Sequence, residues 1–523
     1  MAATLALSLL PAASLVAQAT RAERTGYRET SSYADVLGFL DSLRARRAGI
    51  LQDTLAITST GRAVPFVVLA HPLVRDPAEA ARSGKPIVYL QANIHAGEVE
   101  GKEVAQMLLR DLTMGPLRPL LDSLVLLVVP IYNVDGNEAL APGETNRPGQ
   151  NGPAIVGRRA NAQGLDLNRD YVKLEAPETR GSTALLTAWR PHLFVDLHTT
   201  NGSYHGYALT WSPGLNPNPT PANTWVRDTL LPVVRDRVRE RYGRATFPYG
   251  NFLNQDPDSL ALGWATYDAR PRFGTNWYAM RGGMPVLSEA YSNDDFASRV
   301  ASTYDFVREL LSEVARSRDA VIRLTAGRPT VDSVVVRSTL GPPTRGRVVA
   351  EVTEPAGEGN GTYARRRRTG VFRTIEMPVF DRFVAERKEA LAEAYLIPDR
   401  LAGVVELLRQ QGIEVVRGSG QASRLERFVV DSLRREALFE GHRPVVAEGH
   451  WAPFAGEVRS GWSRVSTAQP LGLLAAYLLE PASEDGVVTW NLLDAELKAG
   501  HAYPILRSRT AAAAAASPPR ENR

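Results

Sequence analysis

The chain has 523 residues, too many for one ordinary hydrophobic core, so two domains are expected. Apolar residues make up 44% and charged residues 23%, which is typical of a globular protein and excludes general disorder. There is no cysteine, which excludes disulfides, thiolate metal sites and cysteine nucleophiles, and the net charge of only +4 does not favour nucleic-acid binding. Any metal must then be held by histidine and carboxylate ligands.

Residues 1–19 are typical of a secretory signal peptide. Leu5 to Val16 form an apolar, alanine-rich run, and Ala17–Gln18–Ala19 resembles a small-residue cleavage site. The run is too short to span a bilayer, and no other long uncharged apolar stretch follows. We therefore expect a secreted or periplasmic protein without an integral membrane segment in the mature chain. No Lys or Arg precedes the run, and a buried N-terminal helix is the alternative.

Between Thr20 and about Leu324, short apolar runs alternate with longer amphipathic stretches. The helical pattern is clearest where Val104, Met107, Leu108 and Leu112 share one face. This alternation predicts an α/β catalytic domain over residues 20–325, with a mixed, mostly parallel central sheet flanked by helices. The runs with the length and composition of buried strands are 65–69, 86–91, 124–129, 193–197 and 285–287.

The sequence changes character near Gly327–Arg328–Pro329. Residues 331–336 and 413–416 are predicted strands, and residues 401–408 have one apolar helical face. We predict a second, smaller mixed α/β domain over 326–508, of unknown role, and a disordered tail over 509–523. The run Arg365–Arg368 is interpreted as a solvated loop and not a nucleic-acid surface, since no aromatic residues interleave with it.

Polar side chains follow two of the predicted strands and suggest a metal site. His95 and Glu98 form an H-x-x-E pair after the strand 86–91, and His198 follows the strand 193–197. The spacing of the pair is weak by itself, and a lone histidine at a strand end is more often structural. The carboxyl ends of neighbouring parallel strands, however, meet at one edge of a sheet. Two histidines and one glutamate are a recognised catalytic zinc set.

Two further segments carry residues that such a site would use. In Gly164–Asp170, Asn168 and Arg169 could anchor a carboxylate, and Asp166 could accept a hydrogen bond from a ligand imidazole. A turn held by local hydrogen bonds is the alternative for this segment. Glu289 follows the strand 285–287 and, if it faces the metal, could act as a general base on metal-bound water.

These motifs, in this order, resemble the zinc carboxypeptidase family of the carboxypeptidase A type (peptidase family M14), over about residues 60–300. The resemblance implies one Zn²⁺ bound by His95, Glu98 and His198, and Glu289 as the catalytic base. It implies that the chain hydrolyses peptide substrates at their C-terminal amide bond.

The resemblance also implies roles for the substrate-binding residues. Asn168 and Arg169 match the carboxylate-binding pair, and Tyr267 stands where the family has its mobile tyrosine. Arg159 matches the arginine that stabilises the oxyanion, although Arg158 is an alternative. The segment Asn276–Trp277–Tyr278 resembles the family's Asp-Trp-x-Tyr.

The sequence departs from the family pattern at two positions. Gly97 stands where digestive members have arginine, and Asp170 follows Arg169 where many members have asparagine. A carboxylate beside Arg169 would weaken its attraction for a substrate carboxylate. Two alternatives therefore stay open: a zinc amidase or peptidase acting on peptidoglycan stem peptides or acylated amino acids, and a non-catalytic binding protein. A serine hydrolase has no support, because no G-x-S-x-G motif is present.

Overall fold

The structure is a computed structural model that describes residues 18–46, 48–327, 331–356, 366–418, 424–456, 458 and 460–509. The predicted signal peptide lies outside the described residues except for Gln18 and Ala19. The predicted tail lies outside them except for Arg509, which ends a strand. Within these ranges no helix combines the length and the apolar character needed to cross a membrane.

Short and long strands alternate with helices as far as residue 325, and strands dominate afterwards. In chain order the strands are β1 (Ile50–Ile57), β2 (Ala63–Leu69), β3 (Ile87–Ala92), β4 (Val125–Val129), β5 (Ala141–Pro142), β6 (Ile155–Val156), β7 (Leu193–Thr199), β8 (Leu209–Ser212), β9 (Thr246–Pro248), β10 (Asn251–Phe252), β11 (Trp264–Ala265), β12 (Met284–Ala290), β13 (Ser333–Leu340), β14 (Thr344–Pro355), β15 (Arg366–Phe380), β16 (Phe383–Ala390), β17 (Ala394–Pro398), β18 (Val416–Arg417), β19 (Arg424–Arg435), β20 (Val445–Phe454), β21 (Trp462–Ser466) and β22 (Ala502–Arg509).

The α-helices are α1 (Arg21–Arg24), α2 (Tyr33–Ala45), α3 (Pro77–Arg82), α4 (Glu100–Met114), α5 (Val134–Glu138), α6 (Gly143–Asn146), α7 (Pro177–Trp189), α8 (Pro221–Trp225), α9 (Leu231–Tyr242), α10 (Gly274–Met280), α11 (Phe296–Arg316), α12 (Arg318–Thr325), α13 (Ala402–Gln410) and α14 (Gly472–Leu479). A π-helical segment, Val226–Leu230, joins α8 to α9. Short 3₁₀ turns cover Arg118–Asp122, Leu167–Arg169 and Leu260–Leu262.

An eight-stranded mixed sheet forms the centre of the first part of the chain, in the order β1-β2-β4-β3-β7-β12-β8-β9. Its four middle strands, β4, β3, β7 and β12, run parallel to one another. Every residue of β3 and β7 is buried, as expected for parallel strands covered on both faces. The α/β fold with a mixed sheet is therefore confirmed.

The parallel middle of the sheet decides where polar side chains can meet. Because β3, β7 and β12 point the same way, the residues that follow or end these strands lie at the same edge. That edge carries His95, His198 and Glu289.

The second part of the chain is built mainly from strands. A six-stranded sheet has the order β18-β21-β17-β22-β19-β20, and β13 pairs with β16. A four-stranded sheet, in the order β10-β11-β15-β14, combines strands from both sides of the predicted boundary at residue 326. The division into domains at that residue stays a prediction.

The four-stranded sheet covers a small second core. Trp264 of β11 pairs in parallel with Val379 of β15. Side chains from both parts of the chain are buried together beneath the sheet: Tyr207, Phe252, Leu260, Trp264, Val348, Ala350, Met377 and Val379.

One predicted strand is much shorter than expected. Residues 413–416 contribute only Val416 to a strand, because the helix α13 ends in a glycine cap. Gly412 has φ +79°. Its N–H donates to the carbonyl oxygen of Arg409, and the N–H of Ile413 donates to the carbonyl oxygen of Leu408. This is the Schellman pattern, in which the apolar residue after the glycine packs back on the helix. The buried Ile413 therefore belongs to a helix end and not to a strand.

Candidate metal centre

His95 and Glu98 lie in a tight turn after β3 that is shaped by an asparagine. Asn93 adopts a left-handed conformation, φ +65°, which asparagine tolerates better than most residues. Its side-chain amide donates to the carbonyl oxygens of Ala96 and Glu98, at 3.3 and 3.2 Å. The turn therefore holds both functional side chains on the same side of the sheet edge.

His198 completes a compact cluster with these two residues. The Nδ1 atoms of His95 and His198 lie 3.0 and 2.9 Å from the two carboxylate oxygens of Glu98, and 3.2 Å from each other. All three residues are buried, and one potential ligand atom from each lies within 4.8 Å of the others. The structure thus brings together residues that are about a hundred positions apart in the chain.

The second ring nitrogen of each histidine faces a carboxylate. His95 Nε2 lies 3.1 Å from Asp166 Oδ1, and His198 Nε2 lies 3.0 Å from Asp196 Oδ2. A carboxylate at this position favours the proton on Nε2 and leaves the Nδ1 lone pair free to bind a metal. Two such lone pairs and the Glu98 carboxylate converge on one buried point. This donor set fits a divalent zinc ion.

Cations surround the Glu98 carboxylate. Arg147 Nη2 lies 3.3 Å and Arg159 Nη1 3.6 Å from Glu98 Oε1. Burial alone would raise the pKa of Glu98, but Arg147 and the two histidines outweigh it and hold that pKa well below its ordinary value. Glu98 is therefore a carboxylate at neutral pH, the form in which it can bind a metal.

Glu289 lies next to the cluster. In the parallel pair of β7 and β12, Glu289 is opposite His198 in the register. Its side chain lines the same cavity as His95, Glu98 and His198. Burial raises the pKa of Glu289 to about 8, and the neighbouring Glu98 raises it as well, while His198 and Arg147 lower it. A carboxyl group with a pKa near the working pH can both accept and return a proton.

The segment that carries Asn168 and Arg169 is a 3₁₀ turn capped by Asp166. Asp166 Oδ1 accepts the N–H of Asn168 at 2.9 Å, and Asn168 Oδ1 accepts the N–H of Gly274 at 2.9 Å. The Arg169 guanidinium stacks on the ring of Phe273, 3.9 Å from its centroid. Both Asn168 and Arg169 line the cavity of the metal cluster.

Asp170 is directed away from Arg169, unlike the expectation from the sequence. Its carboxylate accepts the N–H groups of Glu175 and Ala176 and the hydroxyl of Thr179 at the start of α7. Burial raises its pKa to about 6. The predicted weakening of Arg169 by this carboxylate is therefore wrong, because the Asp170 carboxylate is bound to the loop that leads into α7 and to the Thr179 side chain.

The two arginines proposed for one role have different surroundings. Arg159 lines the cavity and donates from Nε to Asp166 Oδ2 at 2.9 Å. Asn133 fixes its backbone by donating to the Arg159 carbonyl oxygen at 2.9 Å. Arg158 is exposed and donates from Nη2 to the carbonyl oxygen of Asn161. Of the two, Arg159 is the one beside the cluster.

Tyr267 lines the cavity, and its hydroxyl lies 2.9 Å from that of Thr275. The segment Asn276–Trp277–Tyr278 belongs to α10 and is buried. The Asn276 amide donates to the carbonyl oxygens of Asp268 and Arg270, so it fixes the loop that carries Tyr267.

The cavity, of about 290 Å³, also contains residues that the sequence analysis missed. Arg147 is one of them; its Nη2 reaches the carbonyl oxygens of Thr199 and Thr200 as well as Glu98. No motif in the sequence surrounds Arg147, so only its position in the fold reveals it. The other missed residues lining the cavity are Thr199, Asn201, Tyr249, Asn251, Asp268, Phe273, Thr275 and Leu287.

Comparison with known sequences agrees with this geometry. The sequence profile of the zinc carboxypeptidase family matches residues 38–293, a range that contains every cavity residue named above. Residues 38–293, just under half of the chain, therefore form a domain of the zinc carboxypeptidase family.

Individual relatives of this chain match it over different lengths. Probable carboxypeptidase 2 of Arthroderma benhamiae is 31% identical over 140 residues, which are 26% of this chain but only 23% of that protein. Carboxypeptidase 2 of Trichophyton rubrum is 24% identical over 477 residues, 86% of this chain and 80% of that protein. Among solved structures, carboxypeptidase A of Helicoverpa armigera is 14% identical, with a TM-score of 0.42 over 58% of this chain and 78% of that one.

Proposed function

We propose that this chain is a zinc-dependent carboxypeptidase that hydrolyses the C-terminal amide bond of peptides, with His95, Glu98 and His198 as the ligands of one Zn²⁺. The observation that carries the proposal is the convergence of two Nδ1 atoms and one carboxylate on a buried point at the edge of the sheet. When bound, the ion supplies Lewis acidity, which polarises a carbonyl oxygen and lowers the pKa of water.

We assign the proton transfer to Glu289. Its carboxylate takes a proton from the attacking water and delivers it to the nitrogen of the leaving amine. The register that places Glu289 opposite His198 supports this role, since it brings the base to the same edge as the ligands. Its burial supports it too, because a raised pKa favours taking up the proton that the reaction requires.

Arg159 donates N–H groups to the carbonyl oxygen as negative charge develops there. Asp166 orients both Arg159 and His95, since one of its carboxylate oxygens contacts the guanidinium and the other contacts the imidazole. An oxyanion donor of this kind contributes about 3–4 kcal/mol to the transition state.

Asn168 and Arg169 bind the terminal carboxylate of the substrate, and Tyr267 closes over it. Because the Asp170 carboxylate is bound to the loop that leads into α7, the Arg169 guanidinium keeps its attraction for an anion. This favours a substrate with a free terminal carboxylate over one whose C terminus is amidated. A non-catalytic role is not favoured, because all ligands and the base are present around one cavity.

We also propose that the protein is exported. The apolar run 5–16 and the cleavage-like motif 17–19 support export to the periplasm or the medium. N-terminal sequencing of the protein recovered outside the cytoplasm tests this proposal, and recovery of full-length protein inside the cell would contradict it.

The decisive experiment combines metal analysis with a substrate comparison. The purified protein should contain one zinc ion per chain, lose activity in a chelator and regain it with added Zn²⁺. A peptide library with free C termini should lose single residues from that end, while the same peptides with amidated ends should resist. Internal cleavage, or equal cleavage of both sets, would contradict carboxypeptidase action.

A further inference from the structure

The hairpin of β19 and β20 ends in a turn with an unfavourable residue in it. Glu440 and Gly441 form the two central residues, with φ +48° and φ +78°, and Phe439 and His442 exchange both backbone hydrogen bonds at 2.8 and 2.9 Å. Positive φ at both positions defines a type I′ turn, which favours asparagine, aspartate or glycine. Glutamate is an uncommon choice there, because a non-glycine residue at positive φ is strained.

The Glu440 side chain reaches the backbone of Asp166, the residue that supports His95 and Arg159. Its Oε2 accepts the backbone N–H of Asp166 at 3.1 Å, across 274 positions of sequence. The Asp166 carboxylate in turn contacts His95 Nε2 at 3.1 Å and Arg159 Nε at 2.9 Å. One residue of the second part of the chain is thus two contacts away from a metal ligand and from the oxyanion arginine.

The hairpin tip is held in place by two further contacts with the catalytic part. His442 Nε2 lies 2.7 Å from Glu175 Oε1, in the segment that follows Arg169 and Asp170. The Arg272 guanidinium packs on the rings of Phe439 and Trp490, at 5.2 and 4.7 Å from their centroids. These contacts dock the tip against the segments that follow Arg169 and precede Phe273, two residues that line the cavity.

Asp485 fixes the second of these loops. It accepts the backbone N–H of Arg272 at 2.6 Å and its Nε at 3.0 Å. The next residue, Phe273, is the one on which Arg169 stacks. The second part of the chain therefore contacts the supports of both the metal ligand and the carboxylate anchor.

We propose that Glu440 is a positioning residue for the metal centre, which acts by holding the backbone of Asp166 so that this carboxylate orients His95 and Arg159. The inference rests on the proposed function, since it assigns to the second part of the chain a role in that same site. It also explains why glutamate stands in a turn that favours shorter residues: only a longer side chain spans the distance to Asp166.

The test separates the hydrogen bond from the turn. Glu440→Asn and Glu440→Gly suit the type I′ turn better but cannot reach Asp166, whereas Glu440→Gln keeps an acceptor oxygen at the same length. Glu436→Gln is the matched control, because Glu436 lies in the same hairpin and its carboxylate pairs with Arg434 of the same hairpin. Zinc affinity is measured on the full-length chain by competition with a chelator, and the thermal stability of the metal-free chain is measured in parallel.

We expect Glu440→Asn and Glu440→Gly to weaken zinc binding and to lower kcat by about tenfold each, the lower end of the effect of disturbing a group that orients a ligand. The stability of the metal-free variants should equal or exceed that of the wild type, and Glu440→Gln should behave like the wild type. Wild-type zinc affinity in the Asn and Gly variants would overturn the inference. So would equal losses in all three Glu440 variants together with reduced stability, since that result assigns Glu440 a merely structural role.

The inference and the proposed function fail differently. If the wild type binds zinc tightly but cleaves no peptide, the proposed activity is wrong while the effect on zinc affinity still decides the role of Glu440. If the wild type is an active zinc carboxypeptidase and the Asn and Gly variants are unchanged, only the inference about Glu440 is wrong.

Discussion

Glu289 and His198 are direct neighbours in two parallel strands, β12 and β7, with paired Cα positions. Side chains alternate between the faces of a strand, so a shift of one residue in this register would turn Glu289 away from the cluster. The placement of the proposed base beside a proposed ligand is therefore set by the pairing of the central sheet and not by a flexible loop.

The first prediction tests Glu289. Replacing it by glutamine removes the proton acceptor but keeps the shape of the side chain, so Glu289→Gln should retain a full equivalent of zinc. Its kcat should fall by about 10²–10⁴-fold, the usual contribution of a positioned general base. Zinc content and steady-state kinetics on the same preparation measure both quantities. Wild-type turnover in this variant would remove Glu289 from the mechanism.

The second prediction uses two adjacent arginines as a matched pair. Arg159→Gln should lower kcat by about 10²–10³-fold, because a donor to the developing oxyanion is lost. Arg158→Gln should leave turnover unchanged, since Arg158 is exposed and its side chain donates to the carbonyl oxygen of Asn161. The opposite ranking of the two variants would transfer the role to Arg158.

The third prediction concerns the terminal carboxylate of the substrate. Arg169→Gln removes a charge-assisted contact, so KM for peptides with free C termini should rise by about ten- to a hundredfold. Arg169→Lys keeps the charge but not the planar fork and should recover only part of this loss. Peptides with amidated C termini are the control, and their slow hydrolysis should not change. An equal loss on both kinds of peptide would indicate that Arg169 supports the fold and does not bind the carboxylate.

The fourth prediction concerns acid stability and His192, at the start of β7. His192 Nδ1 accepts the N–H of Ile87 at 2.9 Å, which requires the neutral imidazole, and burial lowers its pKa from 6.5 to about 4. A histidine whose pKa is depressed in the folded state contributes stability that is present above pH 6.5. This contribution is lost as the pH falls from 6.5 to 4 and amounts to about 3 kcal/mol at most.

His192→Asn tests this sign, because the asparagine oxygen can replace Nδ1 as an acceptor and does not titrate. Denaturant midpoints of the metal-free chain should fall between pH 6.5 and 4 in the wild type and fall less in the variant. The metal-free state is used so that pH-dependent binding of a metal does not contribute. Parallel curves for the two proteins would show that His192 is not a source of the acid sensitivity.

The sequence was sufficient to predict the sheet edge where the site lies. The buried strands are continuous apolar runs, and the residues that matter follow them directly, so topology alone brings His95, His198 and Glu289 to one edge. The match of residues 38–293 to the zinc carboxypeptidase family agrees with that prediction. The roles of the individual residues stay predictions until the variants are measured.

What the sequence could not supply are contacts that depend on side-chain direction or on distant parts of the chain. Asp170 is adjacent to Arg169 in sequence, but its carboxylate accepts the N–H groups of Glu175 and Ala176 in the loop before α7. Arg147 reaches Glu98 from a loop without any motif. Glu440 reaches Asp166 from a hairpin tip in the other half of the chain, and no local pattern encodes such a contact.

The four-stranded sheet shared by both halves has a practical consequence for anyone who wishes to shorten the protein. A fragment ending at residue 325 would lack β14 and β15, so the backbone groups of Trp264 and Ala265 that pair with β15 would be left open. It would also expose the indole ring of Trp264 to water. An unpaired, apolar strand edge promotes aggregation. The smallest unit worth expressing therefore includes β15, and it extends to Arg509 because β22 pairs with β17 and β19 in the six-stranded sheet.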